Sequence, residues 1–355
     1  MQKRKFIWTT HKVIRETKDA VTIEFDIAGS VFNYLPGQFI NVSQVVNEER
    51  LTRSYSFSSS PELNSCPAIT VKRVKDGLLS NYLVNSAEQI SSWEIEGPYG
   101  SFVPAESSYQ SRNVVLLSGG SGIAPLLSIA KSLLSKSPDV QLTILYANHY
   151  WHDVIFTDTL EALALQYKER LTVIHALSQY DGTKPAFTGT LIEGRLSKVV
   201  VKKLLKQATA GELSAAHFFI CGPNGLMKMY YQVLESLKVP ESGIFMERFT
   251  ADDEAAEQLL NLPEITLEVL VHFYEQTHLI EIPPGTTLLS AALKEGISFG
   301  HSCKSGTCGS CVALLTSGKV SMVKNRALTE KEVAQGMILL CQSYPLSADI
   351  TIEFD

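Results

Sequence analysis

Hydrophobic and polar positions alternate with period two through the first hundred residues and then change rhythm. VTIEFDI (residues 21–27) alternates cleanly, and QFINV (residues 38–42) follows the turn Pro36-Gly37. RSYSFSS, AITVKRV and WEIEGPYGSF continue in short β-rich pieces divided by Pro and Gly, the pattern of an antiparallel sandwich or barrel. One helix is predicted among them, over residues 78–84. From Arg112 the strands become continuously apolar and alternate with helical stretches. NVVLLSGGSGIAPLLSIAKSLL reads as strand, glycine turn and helix. QLTILYAN is a second strand, residues 157–166 a helix, and LTVIHAL a third strand. AHFFICGPNGLMKMYYQVLESL repeats strand, turn and helix, and GIFMERF is a last strand. Unbroken apolar strands separated by helices predict a parallel sheet covered on both faces.

The acidic TADDEAAEQLLN that follows reads as a linker, with a short helix as the alternative. Beyond it ITLEVLVHF and THLIEIPPG form a predicted hairpin, TLLSAALKEG a helix, and VALLTSGKV, MILLCQSYP and DITIEF further strands around a cysteine loop. The expected organisation is therefore an antiparallel β domain over 1–108, an α/β domain over 109–249, a linker over 250–261 and a small α+β domain over 262–355.

Composition narrows the class. The 355 residues are 45% hydrophobic and 19% charged, which excludes wholesale disorder. Lys and Arg number 31 against 37 Asp and Glu, a formal charge of −6, so neither nucleic acid nor an anionic membrane is the default partner. The N-terminal charges have no apolar stretch behind them, unlike a secretory signal. The longest apolar-looking run, residues 114–130, is interrupted by glycines, serines and Pro125, and predicts no membrane span. A cytoplasmic protein is expected, and its six cysteines belong to a reducing compartment, where a tight cluster points to a metal site rather than disulfides.

The cysteines carry the strongest signal. Cys303-x4-Cys308-x2-Cys311, with Cys341 well downstream, has the spacing of a plant-type [2Fe-2S] site. Four thiolates must converge on two irons, so the loop has to curl tightly, and Gly300, Gly306 and Gly309 permit that. Its backbone N–H groups then offset the negative charge of the cluster. A four-sulfur zinc site would usually bring its ligands as two short pairs rather than a triple plus one. Cys66 has no partner in the sequence.

Two glycine loops stand where the α/β domain needs them. Gly119-Gly120-Ser121-Gly122 follows an apolar strand and opens a helix at Ile123-Ala124-Pro125, the arrangement that lets a pyrophosphate approach backbone N–H groups. It lacks the GxGxxG spacing. Cys221-Gly222-Pro223-Asn224-Gly225 occupies the equivalent point after FFI. On pattern alone, two ordinary βα turns would read the same. In the β domain Arg53-Ser54-Tyr55-Ser56 offers a cation, an aromatic ring and hydroxyls in one strand, suited to a flavin, although an ordinary surface strand fits as well. Lys72, Arg73 and the turn Gly77-x-x-Ser80 add phosphate donors.

RSYSFSS, VKRVKDGLLSNYL, GPYGSF, LLSGGSGIAPLLS and CGPNGLM occur in the order of the ferredoxin–NADP+ reductase superfamily, and HSCKSGTCGSCVALLTSGKV with LLCQSYP is similar to plant-type ferredoxin domains. Nearly the whole chain resembles oxygenase reductases of the phenylacetyl-CoA epoxygenase reductase type. The resemblance implies an antiparallel β-barrel for FAD, an α/β domain for NADPH or NADH, and a β-grasp domain for the [2Fe-2S] cluster. It implies that Arg53 binds the FAD pyrophosphate, Tyr55 packs on the isoalloxazine and Ser56 sits near flavin N5, with Ser54 among the cofactor-binding residues. Val71, Lys72, Gly77, Leu79 and Ser80 match a second flavin-phosphate segment. Gly119, Gly120, Ser121, Gly122, Ile123 and Pro125 line the dinucleotide, with Cys221, Gly222 and Pro223 near the nicotinamide. Glu247 matches a position close to the flavin, and Tyr55, Ser56, Cys221 and Glu247 are the candidate catalytic group.

The resemblance leans towards NADPH. His149 stands where many NADPH-preferring relatives place arginine, with Lys184 and Arg195 as further candidates. The implied function is an NAD(P)H-dependent oxidoreductase passing electrons through FAD and the cluster to a separate acceptor protein, foremost a di-iron oxygenase component. A non-oxygenase redox partner, such as a hybrid-cluster protein, and a redox sensor are the alternatives. His152 with Asp153 reads as a surface loop rather than a metal site, and His301 is not needed as a ligand.

Overall fold

The alternating segments pair into one six-stranded antiparallel sheet in the computed structural model, which describes residues 5–29, 31–180, 182, 187–249, 262–297, 299–301, 304, 306, 309–325 and 327–354. The strands are β1 (Lys5–Thr17), β2 (Ala20–Asp26), β3 (Phe39–Val46), β4 (Glu49–Ser56), β5 (Ala68–Lys72) and β6 (Trp93–Tyr99), in the order β4-β3-β6-β1-β2-β5. Phe57, just past β4, bridges to Ile69 in β5, so the two edges meet and the sheet curls into the expected barrel. Its inward residues are large: Trp8 and Phe25 lie 5.2 Å apart, and Phe25 and Trp93 5.5 Å, between ring centroids. The helix α1 (Leu78–Ser86) follows β5 and buries Leu79, Leu83 and Val84.

After the short α2 (Glu106–Gln110) come six parallel strands. They are β7 (Asn113–Gly119), β8 (Gln141–Asn148), β9 (Leu171–Leu177), β10 (Thr190–Glu193), β11 (His217–Cys221) and β12 (Ile244–Glu247), in the order β10-β9-β8-β7-β11-β12. The unbroken apolar runs follow from burial on both sides. Val114, Leu116, Leu142 and Ile144 face the core under α3 (Ile123–Lys136) and α4 (Thr157–Gln166). Val115, Leu117, Leu145 and Ile220 face a second core under α5 (Lys198–Ala208) and α6 (Asn224–Ser236).

The C-terminal part contains β13 (Leu267–Phe273), β14 (Gln276–Ile282), α7 (Leu288–Lys294), β15 (Val312–Ser317), β16 (Val320–Met322), α8 (Glu330–Ala334), β17 (Met337–Leu339), β18 (Ser343–Pro345) and β19 (Ile350–Phe354). Its main sheet has the order β14-β13-β19-β15-β17, with β13 and β19 parallel, and β16 and β18 form a separate pair. Leu288, Leu289, Ala291 and Ala292 of α7 pack on Val269, Val271, Ile280 and Ile352, the β-grasp arrangement of a mixed sheet around one helix. Two units result: the described residues up to Phe249 except Leu51–Ser54, and Leu51–Ser54 with those from Leu262 onward. The segment read as a linker, 250–261, lies outside the described residues. Among those residues no helix is long and apolar enough to cross a membrane.

Candidate functional site

Strands β7 and β11 are neighbours, yet the chain leaves them in opposite directions across the sheet, and a crevice opens beyond their carboxyl ends at such a switch. Both glycine loops lie there. Gly120–Gly122 forms a 3-10 turn that runs into α3, and Pro223 caps α6. The loops pack closely: a Cβ on Gly122 would lie 2.2 Å from the carbonyl oxygen of Cys221, and one on Gly119 2.6 Å from Leu226 Cδ2. Gly222 in turn lies against Gly119. Gly120 has φ +53°, a conformation natural to glycine, and Tyr146 of β8 donates a 3.0 Å hydrogen bond to its carbonyl. Ser121 sits within the turn, and Ile123 and Pro125 are buried in the first turn of α3. No side chain caps that helix, so its first N–H groups face the loop end unmatched within the helix.

Cys221 is in register with Ser118 on β7 and with Glu247 on β12. Glu247 meets the barrel: the Ser56 hydroxyl lies 3.4 Å from its carboxylate, and both residues are buried. Residues far apart in sequence thus converge, and three of the four candidate catalytic residues stand at one level. Tyr55 and Ser54 are half-buried one and two residues earlier on β4, whereas Arg53 is exposed and donates to the Thr52 carbonyl at 2.7 Å.

The second predicted phosphate segment divides by role. Lys72 Nζ comes within 3.8 Å of where a Cβ on Gly120 would sit, bringing a cation from β5 to the glycine loop. Arg73, its neighbour, is committed elsewhere, donating to Asp19 at 3.1 Å, Asn81 at 2.6 Å and Asn85 at 2.8 Å. Val71 and Leu79 are core residues. The Ser80 hydroxyl accepts from the Val74 N–H at 3.1 Å and donates to the Gly77 carbonyl at 3.2 Å. What this turn offers an anion is the first-turn amides of α1, which begins at Gly77 without a side-chain cap.

At the end of β8, His149 Nδ1 is hydrogen-bonded to Ser178 Oγ at 2.9 Å, and Tyr150 stacks on His152 with ring planes 11° apart. His152, which is exposed, lies 3.7 Å from the carboxylate of the half-buried Asp153. Arg195 is described, while Lys184 lies outside the described residues. Sequence reading missed His175 on β9. It is buried between Trp151 and Phe187, each 5.0 Å away between ring centroids, and burial pushes its pKa down to about 4 against the pull of Glu161. Only its place in an otherwise apolar strand hinted at this.

In the C-terminal unit Cys303 and Cys308 lie outside the described residues, while Cys311 and Cys341 are buried. The pairing of β15 with β17 brings these two segments together, and the Leu340 N–H donates to the Cys311 carbonyl at 3.0 Å. Gln342 ties in the loop as well, its amide donating to the carbonyls of Lys304 at 3.0 Å and Cys341 at 2.9 Å. Lys304, Gly306 and Gly309 have φ of +52°, +73° and +65°, which curls the loop, and a Cβ on Gly306 would lie 2.6 Å from the Lys324 carbonyl. His301 is turned to the Phe299 carbonyl at 2.9 Å.

These donors fit the expected groups. Buried thiols behind a left-handed loop suit a thiolate-bound cluster. A helix N-terminus beside a glycine turn and Lys72 suits a pyrophosphate. The buried hydroxyl and carboxylate of Ser56 and Glu247 suit a polar ring edge.

Three family models match the chain: an oxidoreductase FAD-binding domain over residues 8–103, an oxidoreductase NAD-binding domain over 116–232, and a 2Fe-2S iron-sulfur cluster binding domain over 271–346. The ferredoxin reductase component of 3-ketosteroid-9-alpha-monooxygenase from Mycobacterium tuberculosis is 34% identical over 97% of this chain and 94% of its own. One component of the 1,2-phenylacetyl-CoA epoxidase of Escherichia coli is 29% identical over 98% of this chain and 97% of its own. Phthalate dioxygenase reductase, a solved structure, shares the fold over 99% of this chain and 98% of its own, with TM-score 0.59 and 20% identity.

Proposed function

The chain belongs to the ferredoxin-reductase family in which FAD-, NAD- and [2Fe-2S]-binding domains share one polypeptide, and from that premise we propose that it is the reductase component of a separate oxygenase. When bound, FAD would supply the conversion of two-electron hydride transfer from NAD(P)H into single-electron transfer, the step size suited to a [2Fe-2S] cluster.

The convergence of Ser56, Glu247 and Cys221 at one level of the crevice carries the reading of the hydride-transfer site. In this reading the glycine loop, the N-terminus of α3 and Lys72 hold the dinucleotide phosphates. Arg53 and the first turn of α1 hold those of FAD, and Tyr55 packs on the ring. Ser56 would present its hydroxyl oxygen as an acceptor at the reacting edge of the flavin, its proton being donated to the Glu247 carboxylate that orients it. Cys311 and Cys341, with Cys303 and Cys308, ligate the cluster. NADPH is the proposed donor, His149 and Ser178 meeting its 2′-phosphate. The domain limits proposed are 1–108, 109–249 and 262–355.

The electron acceptor is proposed by kinship with reductases that serve oxygenases, and a di-iron oxygenase component is the first to try. A cytoplasmic location goes with the proposal, since a thiolate-bound cluster and NAD(P)H both belong to a reducing compartment.

The test is anaerobic addition of NADPH, and separately NADH, to the purified holoprotein. The expected outcome is bleaching of the flavin absorbance together with the rhombic electron paramagnetic resonance signal of a reduced [2Fe-2S] cluster. Flavin bleaching with no cluster signal, where dithionite does produce that signal, would overturn the reading.

A further inference from the structure

Helix α3 carries the glycine loop at its head, and along its side it is fastened to the barrel. Ser128 donates to the Ser59 carbonyl at 2.5 Å. Lys131 donates to the Ser58 carbonyl at 3.3 Å and to Asn64 Oδ1 at 3.4 Å. Lys136, at the last turn, pairs with Glu62 at 2.6 Å. All four receiving residues lie in 58–64, the segment that follows β4 and its residues Arg53–Ser56. One rod therefore joins the two halves of the proposed hydride-transfer site.

The receiving surface is itself braced. Asn64 Oδ1 also accepts from the Ser60 N–H at 3.0 Å, and the Ser58 hydroxyl lies 2.9 Å from that of Thr70. The Thr70 hydroxyl is 2.8 Å from that of Thr22, which donates to Glu16 at 2.7 Å. Glu16 in turn accepts from the Phe156 N–H at 3.1 Å, at the start of α4. A chain of polar groups on β1, β2 and β5 thus anchors both helices that cover one face of the parallel sheet.

We propose that Lys131 is a positioning residue for hydride transfer: its ammonium, with Ser128, fixes α3 and the glycine loop against the segment leaving the flavin strand, and so sets how the nicotinamide approaches the flavin. The inference rests on the reading of β4 and the glycine loops as flavin and nucleotide sites. Its logic is directional. Apolar packing holds a helix but lets it slide, whereas the short Ser128 bond and the two longer contacts of the Lys131 ammonium, pointing in different directions, oppose sliding. Displacements near one ångström at a reacting pair cost on the order of a hundredfold in rate.

Burial pulls the Lys131 pKa down to about 8, against the opposing pull of Glu16 on β1 and Glu24 on β2. Asp158 on α4 faces Glu16, whose own pKa burial raises. Lys136 and Glu62 hold each other charged one turn further along. Tyr34, bonded to Ser59 at 2.7 Å, is pushed up by burial. Lys131 is thus the group at this junction that changes charge just above neutrality.

The test compares the wild type, Lys131→Met, Lys131→Arg and Ser128→Ala as FAD-loaded full chains. The limiting rate of flavin reduction is followed by stopped flow between pH 6.5 and 9.5, using whichever of NADPH and NADH the wild type prefers. NADP+ or NAD+ affinity and thermal stability are followed beside it. In the wild type the rate should fall as pH rises through about 8. Lys131→Met should be about tenfold or more slower at pH 7 and flat across that range, with dinucleotide affinity changed less than threefold. Lys131→Arg should carry a larger share of the wild-type rate to high pH, and Ser128→Ala should be slower in the same sense as Lys131→Met.

Stability should move the other way. A lysine with a lowered native pKa binds fewer protons folded than unfolded between about 8 and its ordinary value. The wild type should therefore gain stability relative to Lys131→Met as pH rises through that window. A lysine serving only the fold would not separate the two trends. A Lys131→Met rate within twofold of the wild type, or a loss of affinity at unchanged limiting rate, overturns the proposal. If Lys131→Met does not fold, an unchanged rate in Ser128→Ala does so. A wild type whose flavin neither donor reduces defeats the underlying reading instead.

Discussion

His175 shows how far one side chain's behaviour depends on residues distant in sequence. Its imidazole sits between Trp151 and Phe187, and burial there pushes its pKa from 6.5 to about 4. The fold therefore favours the neutral ring. The stability this preference provides is complete above pH 6.5 and is lost as pH falls through about 4, a total on the order of 3 kcal/mol. Replacement by Phe, read as melting against pH by flavin fluorescence, should flatten that part of the acid limb, whereas an unchanged limb would show that the ring protonates freely in the fold. Lys72 and Arg73 make the related point about legibility. The sequence presents two adjacent cations as equivalent phosphate donors. Arg73 is drawn off by Asp19, Asn81 and Asn85, while Lys72 reaches the glycine loop. No local pattern separates them, because the deciding partners come from three other segments. The same holds for Glu16 and Lys131, whose hydrogen bonds join the barrel to the helices of the α/β domain.

Among the elements, those with strong periodicity were legible. The helix expected over residues 157–166 is α4, Thr157–Gln166, and the third apolar strand, LTVIHAL, is β9, Leu171–Leu177. Several others escaped, among them the short α2 and α8, and VALLTSGKV and MILLCQSYP each proved to be two strands; three more show why. β1 lies in a charged N-terminal stretch that shows no clean alternation. β10 is four residues long at the sheet edge, half-buried at best, and so carries almost no pattern. α5 has lysines at four of its eleven positions and an exposed Val199 that blurs its apolar stripe. The contact between the glycine loops gives a sharper prediction. A Cβ on Gly122 would meet the Cys221 carbonyl at 2.2 Å, and backbone cannot swing aside as a side chain does. Gly122→Ala should destabilise the FAD- and NAD-binding unit by about 1–3 kcal/mol. It should also weaken NADP+ binding at least tenfold as β7 and β11 separate at their ends. Titration beside a melting curve checks both, and unaltered binding would place the dinucleotide elsewhere.

Over the whole molecule, the order of modules was legible because each has its own chemistry: alternation for the barrel, unbroken apolar strands for the parallel sheet, cysteine spacing for the last domain. The cysteine-bearing unit also has its own hydrophobic core, built from Val269, Val271, Leu288, Ile352 and their neighbours. Cys311→Ser should therefore remove iron and sulfide from the purified protein while FAD stays bound and remains reducible by NAD(P)H. Full iron content would contradict the ligand assignment, and loss of FAD would contradict the independence of the cores. Separate cores bear on calorimetry too. They predict that the chain is not a two-state system, each core losing its packing in a transition of its own. The heat absorbed over a full scan then exceeds what the steepness of any single transition implies, and one melting temperature does not describe the protein. Each probe should follow its own unit, flavin fluorescence the larger and the visible absorbance of the cluster the smaller.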